Sequence, residues 1–305
     1  MSKIQDALAK LQDTSGRRMV ATGSVKSRTD STIVAKVTAS DADERGNSRV
    51  VCVDQTALRD AGLIAPEYHQ ELLTNQYRDI KRPLIAHAFG RRATQVENGK
   101  IIAVCSAISG EGKTFTSINL ALSMAQERDH SVILIDGDFA KPTISKMFGL
   151  DAELGLLDAI ENPEIDIWSL VLKTDVEGLL VFPSGRPRTS ATELLNSAAM
   201  EHAVAKIGAM ANDQLVIFDS APLLQTSESK AVASLAGQVV LVVRAESTPR
   251  AAVAAALSAL DDQKAVNLIL NNVRPGVERF GEYYGYGATA GDSKPVAPSK
   301  SDIFA

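Results

Sequence analysis

Cysteine is scarce in this chain: two among 305 residues, Cys52 and Cys105, each inside an apolar run. That excludes a disulfide framework and predicts reduced, buried thiols in a cytoplasmic protein. Histidine is thin as well, and no set of four Cys/His residues has zinc-like spacing, so a structural metal site is not expected. There is no positive surplus either. A net charge of −5 gives no electrostatic reason to expect nucleic-acid binding. No stretch approaches the roughly 18 consecutive apolar residues of a membrane-spanning helix, and the opening MSKIQDALAKLQ has no secretory core. Work at a membrane would therefore need recruitment by a partner.

What is present is the composition of a soluble globular protein, 45% hydrophobic and 23% charged. Ile4, Leu8 and Leu11 mark a short helix over 3–12, and residues 13–47, rich in Ser, Thr, Lys, Arg and Asp, have the composition of a flexible linker. Residues 49–53 (RVVCV) suit a strand and 66–83 a helix that ends in the basic run Arg78–Arg82. That run suits a neighbouring subunit, an acidic membrane surface or simply solvent.

From about residue 100 the chain alternates. Short apolar runs at 101–105, 132–135, 179–182, 215–218, 239–243 and 268–270 are separated by Ala- and Leu-rich helical stretches at 113–127, 191–210, 226–236 and 249–261. Uniformly apolar strands separated by helices predict an α/β fold, a doubly wound, mainly parallel sheet covered on both faces. The domain reading is an N-terminal helix and linker over 1–48, a P-loop domain over 49–287 with its core at about 98–275, and a disordered Ser/Pro/Lys/Gly-rich tail over 288–305.

The strongest local signal is Ala107-Ile-Ser-Gly-Glu-Gly-Lys113-Thr114, between a strand and a helix. It fits the P-loop pattern, with Ala107 in place of the usual first glycine. In such a loop Ser109, Gly110, Glu111, Gly112 and Phe115 bring backbone N–H groups around the phosphates of ATP. Lys113 reaches the β- and γ-phosphates, and the Thr114 hydroxyl ligates Mg²⁺.

Carboxylates follow two of the strands: Asp136 and Asp138 after 132–135, and Asp219 after 215–218. In parallel sheets such residues gather where ligands bind. Asp219 suits the Mg²⁺ shell. Asp136 and Asp138 either complete that shell or accept the proton of an attacking hydroxyl. A helix N-cap is the ordinary alternative for each. Asn271, with Arg274 beside it, either reads the adenine edge or is a turn residue.

Three of the five tyrosines, Tyr283, Tyr284 and Tyr286, lie among glycines just before the tail. They suit a flexible phosphoacceptor segment, or an aromatic anchor for the chain end.

Together with ILIDGDFAKP (133–142), Asp219-Ser-x-Pro222, Ala191-Thr192-Glu193-Leu194-Leu195 and Tyr77-Arg-Asp-Ile-Lys-Arg-Pro-Leu84, these motifs give a resemblance over about 55–287. The chain resembles the cytoplasmic bacterial tyrosine kinases, above all the autokinases of exopolysaccharide and exosortase systems. These share a P-loop branch with the partition and division-site ATPases. Ile108 stands where the partition-type ATPases carry a signature lysine, which favours the kinase side.

The resemblance implies an ATP- and Mg²⁺-dependent protein-tyrosine autokinase that phosphorylates Tyr283, Tyr284 and Tyr286. It implies a membrane polysaccharide co-polymerase (chain-length determinant) as partner, an opposing tyrosine phosphatase, self-association, and peripheral recruitment to the inner membrane. Several positions depart from the family pattern: Gly137, Ala140-Lys141, Ala221, and Asn75, Arg78 and Lys81, the last three where Glu-x-x-Arg-x-x-Arg is usual. The rival readings are a nucleotide-switched regulatory ATPase that phosphorylates nothing, and a non-catalytic adaptor.

Overall fold

Strands that are apolar on every residue cannot leave a face to water, so they pair edge to edge beneath helices on both sides. The computed structural model describes residues 19–23, 33–39, 49–64, 71–90, 95–188, 194, 198–210, 213–262 and 264–273. Its strands are β1 (Met19–Gly23), β2 (Ala35–Ala39), β3 (Arg49–Val53), β4 (Ile101–Ser106), β5 (Ser131–Gly137), β6 (Leu172–Thr174), β7 (Leu179–Phe182), β8 (Gln214–Ser220), β9 (Gln238–Arg244) and β10 (Ala265–Val273).

They form one sheet in the order β1-β10-β9-β4-β8-β5-β7-β6-β3-β2. Every neighbouring pair from β1 to β7 is parallel, while the β7–β6 and β3–β2 pairs are antiparallel. The mainly parallel, doubly wound sheet expected from the alternation is what forms.

The helices are α1 (Gln55–Asp60), α2 (Glu71–Phe89), α3 (Lys113–Ala125), α4 (Thr143–Met147), α5 (Leu156–Glu161), α6 (Ala198–Met210), α7 (Ser227–Leu235) and α8 (Arg250–Ser258), with a 3₁₀ turn at Ile167–Leu170. The period of two along each strand divides the core into two layers. Ile102, Val104, Val132, Leu134, Leu215, Ile217 and Ile269 pack with Tyr77 and Leu84 of α2 and Ile118 and Leu122 of α3. Ile101, Ala103, Ile133, Ile135, Val216 and Phe218 pack with Met200 and Ile207 of α6, Val232 of α7 and Ala256 of α8. This parity places the site: Asp136, Asp219 and Asn271 continue the first set, on the face that carries α3.

Three expectations need correction. Strands β1 and β2 lie inside 13–47, which composition assigns to a linker. Both are edge strands held by pairing, β1 on the distant β10 and β2 on the next strand β3, and a composition window does not register strand pairing. Val34, just before β2, is fully buried and donates its amide to Met147 O at 2.8 Å.

The second correction concerns α2, which runs through Pro83 to Phe89 rather than stopping at 83. A proline inside a helix costs about 3 kcal/mol. Leu84 and Ala88 beyond it are buried in the first layer, and their burial offsets that cost. The third is the basic run, which helix geometry divides. Arg78 and Arg82 are exposed, beside Asn75 and Asp79. Lys81 is buried, donates to Ser123 O and pairs with Glu127 at 2.8 Å.

The chain divides into Met1–Val273 and Arg274–Ala305, and all described residues belong to the first unit. The predicted helix over 3–12, the tail, Arg274, Tyr283, Tyr284, Tyr286 and the Ala191-Thr192-Glu193 motif lie outside the described residues. Among the described residues, no helix is long and apolar enough to cross a membrane.

Candidate active site

Strand β4 delivers the chain into the 107–112 loop, and α3 starts directly after it. Two left-handed glycines make the turn, Gly110 at φ 82° and Gly112 at φ 94°, the latter as N-cap of α3. Other residues are strained there. The space over Gly110 is open, with no atom within 4 Å of where a Cβ would lie. Helix α3 is thirteen residues long, and its unpaired N-terminal amides and dipole favour an anion at this point. Lys113 is 8% exposed at that terminus. Phe115 packs its ring into the first core layer, so only its backbone remains for a ligand.

The carboxylates converge because of strand register. Asp136 on β5 and Asp219 on β8 are direct partners in the parallel pairing, so both project on the α3 side. Thr114 Oγ1 donates to Asp219 Oδ2 at 2.7 Å, and Ser117 Oγ donates to Oδ1 at 2.9 Å. Ser117 is a site residue that sequence reading missed. Its signal was its place three residues after Thr114, on one helix face.

Asp136 Oδ2 accepts the Ser145 amide at 2.7 Å, whereas Oδ1, equally buried, has no hydrogen-bond partner. Burial, and then the neighbouring Asp219 charge, push the Asp136 carboxyl up to about 8. Burial also raises Asp219, but Lys113 and the two hydroxyl donors hold it to about 6. Asp138 is half-buried at the end of β5, accepts the Lys141 amide at 3.1 Å, and is raised by burial.

Two carboxylates that resist ionisation together mark a place where a cation belongs. Among the described residues no three His, Cys, Asp or Glu cluster as a complete metal cage. One hydroxyl and two carboxylates instead suit Mg²⁺, which keeps waters and phosphate oxygens in its shell. Thr114, Asp219 and the unpartnered oxygen of Asp136 fit that ion, and the loop and Lys113 fit the phosphates.

A second group of side chains holds the loop itself. Glu111 is 2% exposed; its carboxylate accepts the Ile108 amide at 2.7 Å and the Thr248 hydroxyl. Asn271 Nδ2 donates to Glu111 O at 3.0 Å, and Arg244 Nη1 donates to Gly110 O at 3.3 Å. Asn271 thus sits against the P-loop backbone, with its Oδ1 accepting the Asn272 amide at 2.9 Å. Arg244 and Thr248 carry no local motif and were not legible in the sequence. Ser220 is tied to Val104 O at 3.1 Å within the core. His87 is paired with Gln238 at 3.0 Å, a structural contact.

Comparison with known proteins places the chain in a family. The AAA domain family matches residues 99–269. The chain is 30% identical over 193 residues to the tyrosine-protein kinase CpsD of Streptococcus agalactiae, covering 63% of this chain and 83% of that one. It is also 30% identical over 227 residues to the tyrosine-protein kinase YwqD of Bacillus subtilis (strain 168), covering 74% and 91%. The kinase domain of Escherichia coli tyrosine kinase ETK shares the fold, with a TM-score of 0.56 at 23% identity over 72% of this chain and 80% of that one. With its P-loop, its paired strand-end carboxylates and these relatives, the chain belongs to the bacterial tyrosine-protein kinase family.

Proposed function

We propose that this protein is an ATP-dependent tyrosine autokinase whose substrate is its own tyrosine cluster, Tyr283, Tyr284 and Tyr286. The observation that carries the reading is the buried Asp136–Asp219 pair at the mouth of the Thr114 loop. It is a charge trap that a Mg²⁺-bound nucleotide would complete.

Phosphoryl transfer depends on positioning and on neutralising charge. Lys113 and the amides of residues 109–115 bind and orient the phosphates. Thr114, Asp219 and Asp136 would hold Mg²⁺, which when bound would neutralise charge on the phosphate oxygens. Asp138, nearer the surface than Asp136, takes the proton of the incoming phenol as its oxygen bonds to the γ-phosphorus and the bond to the ADP oxygen breaks. A phenol with a free pKa near 10 benefits from such a base at neutral pH.

Family membership supports a wider setting. In it the kinase regulates exopolysaccharide synthesis or export, stimulated by a membrane co-polymerase, opposed by a tyrosine phosphatase and recruited peripherally to the inner membrane.

The test is phosphosite mapping by mass spectrometry after incubation with Mg·ATP, with Lys113→Met and Tyr283/Tyr284/Tyr286→Phe variants alongside. Phosphate should appear on the cluster in the wild type and vanish with Lys113→Met. Tyr77 should stay unmodified, because it is wholly buried and burial raises its phenol far above the usual range. ATP hydrolysis without phosphotyrosine, even with the co-polymerase's cytoplasmic tail added, would instead indicate a regulatory ATPase.

A further inference from the structure

We infer that Thr248 and Asn271 are positioning residues that set the peptide orientations of the phosphate loop, acting through Glu111. The inference rests on the reading of residues 107–114 as the nucleotide site and adds a set of supports from β9, the turn that follows it, and β10.

The argument starts with the trans peptide plane, in which C=O and N–H point in opposite directions. A donor holding Glu111 O from the β10 side therefore turns the Gly112 N–H away from β10, toward the start of α3. Asn271 Nδ2 is that donor, at 3.0 Å. In the same way Arg244, on Gly110 O at 3.3 Å, turns the Glu111 N–H inward.

Glu111 locks the arrangement from within. Its carboxylate spans the loop from the Ile108 amide to the Thr248 hydroxyl and is 2% exposed. A buried carboxylate needs both acceptors satisfied. If the Thr248 hydroxyl is lost, Glu111 must seek water, and the loop it anchors opens with it. Gly112 records how close the supports come: a Cβ there would lie 2.1 Å from Asn271 Nδ2. An Asn that touches the loop this closely acts on phosphate groups, whatever base the nucleotide carries.

The experiment measures affinities of the full-length protein for Mg·ADP and for Mg·pyrophosphate, which has no base, by titration calorimetry. Thr248→Val keeps the side-chain shape and removes the hydroxyl, and Thr248→Ser restores it. With Thr248→Val both ligands should weaken by the same factor, about tenfold, and Thr248→Ser should bind as wild type does. Asn271→Ala should likewise weaken both equally, and it carries the comparison alone should Thr248→Val fail to fold.

Thr248→Val binding within about twofold of wild type would overturn the inference for Thr248. Loss of ADP affinity with unchanged pyrophosphate affinity in Asn271→Ala would make Asn271 a reader of the base instead. Phosphotyrosine is scored separately on the wild-type chain, so a failure of the autokinase reading and a failure of this inference show in different measurements.

Discussion

Asp136→Asn should make the nucleotide-free protein more stable at pH 8 while lowering phosphoryl transfer by about 10²–10³-fold. The two effects share one cause. In the absence of Mg²⁺ the Asp136 carboxyl lies deep beside Asp219 and is held up to about 8, whereas in the unfolded chain it ionises near the ordinary value of about 3.9. Between those two values the unfolded state loses its proton and the folded state keeps it. Folded stability is therefore complete below pH 4, falls as pH rises, and levels off above about pH 8.

Asp219, raised to about 6, adds a slope of the same sign over a lower and narrower range. Asn cannot ionise, and its carbonyl can still accept the Ser145 amide that Asp136 Oδ2 accepts. In EDTA, melting temperature against pH should slope downward for the wild type and much less for the variant, with the curves separating by several degrees at pH 8. Parallel curves would show that Asp136 is ionised in the folded protein. Unimpaired phosphoryl transfer in the variant would count against the proposed place of Asp136 in a Mg²⁺ shell.

Phe218→Ala should cost about 3–5 kcal/mol of folding stability and lower the melting temperature by roughly 10 °C. Phe218 is 1% exposed on β8, between β4 and β5 in the sheet order, and packs in the α6–α8 layer. That layer is filled from several elements at once, so the space left by the ring cannot collapse by moving one side chain. Phe218 also points to the opposite face of the sheet from its neighbour Asp219. Mg·ADP affinity at low temperature should accordingly stay within a few-fold of wild type while chemical denaturation shifts. A loss of less than about 1 kcal/mol would mean that the layer repacks around the gap.

Most of the central sheet was readable because its signals are local. A run such as VVLVV within β9 has no hydrophilic face to present, and burial between two helical layers is the arrangement that suits it. The P-loop was readable for the same reason: Gly110, Gly112, Lys113 and Thr114 fall within five consecutive positions, and their chemistry depends on their order. The edges of the fold were not. Strands β1 and β2 lie in polar stretches of sequence; β1 exists through pairing with the distant β10, and β2 through pairing with β3, the next strand. The helix expected over 66–83 continues past Pro83 because proline's backbone cost is local, while the burial of Leu84 that outweighs it is not.

By itself the sequence determined the fold class, the phosphate loop, the strand-end carboxylates and the kinase resemblance, since each depends on residues adjacent in the chain or on their period. Tertiary structure alone decided which residues meet. Register made Asp136 and Asp219 partners, placed Asn271 against the P-loop backbone, and brought Thr248 to Glu111 across 137 positions of sequence. It also sank Lys81 of the basic run against α3 while leaving Arg78 and Arg82 outside. The physical reason is common to all of them: a hydrogen bond or buried charge acts over a few ångströms of space, and nothing in a local pattern encodes which distant strand will supply the other half.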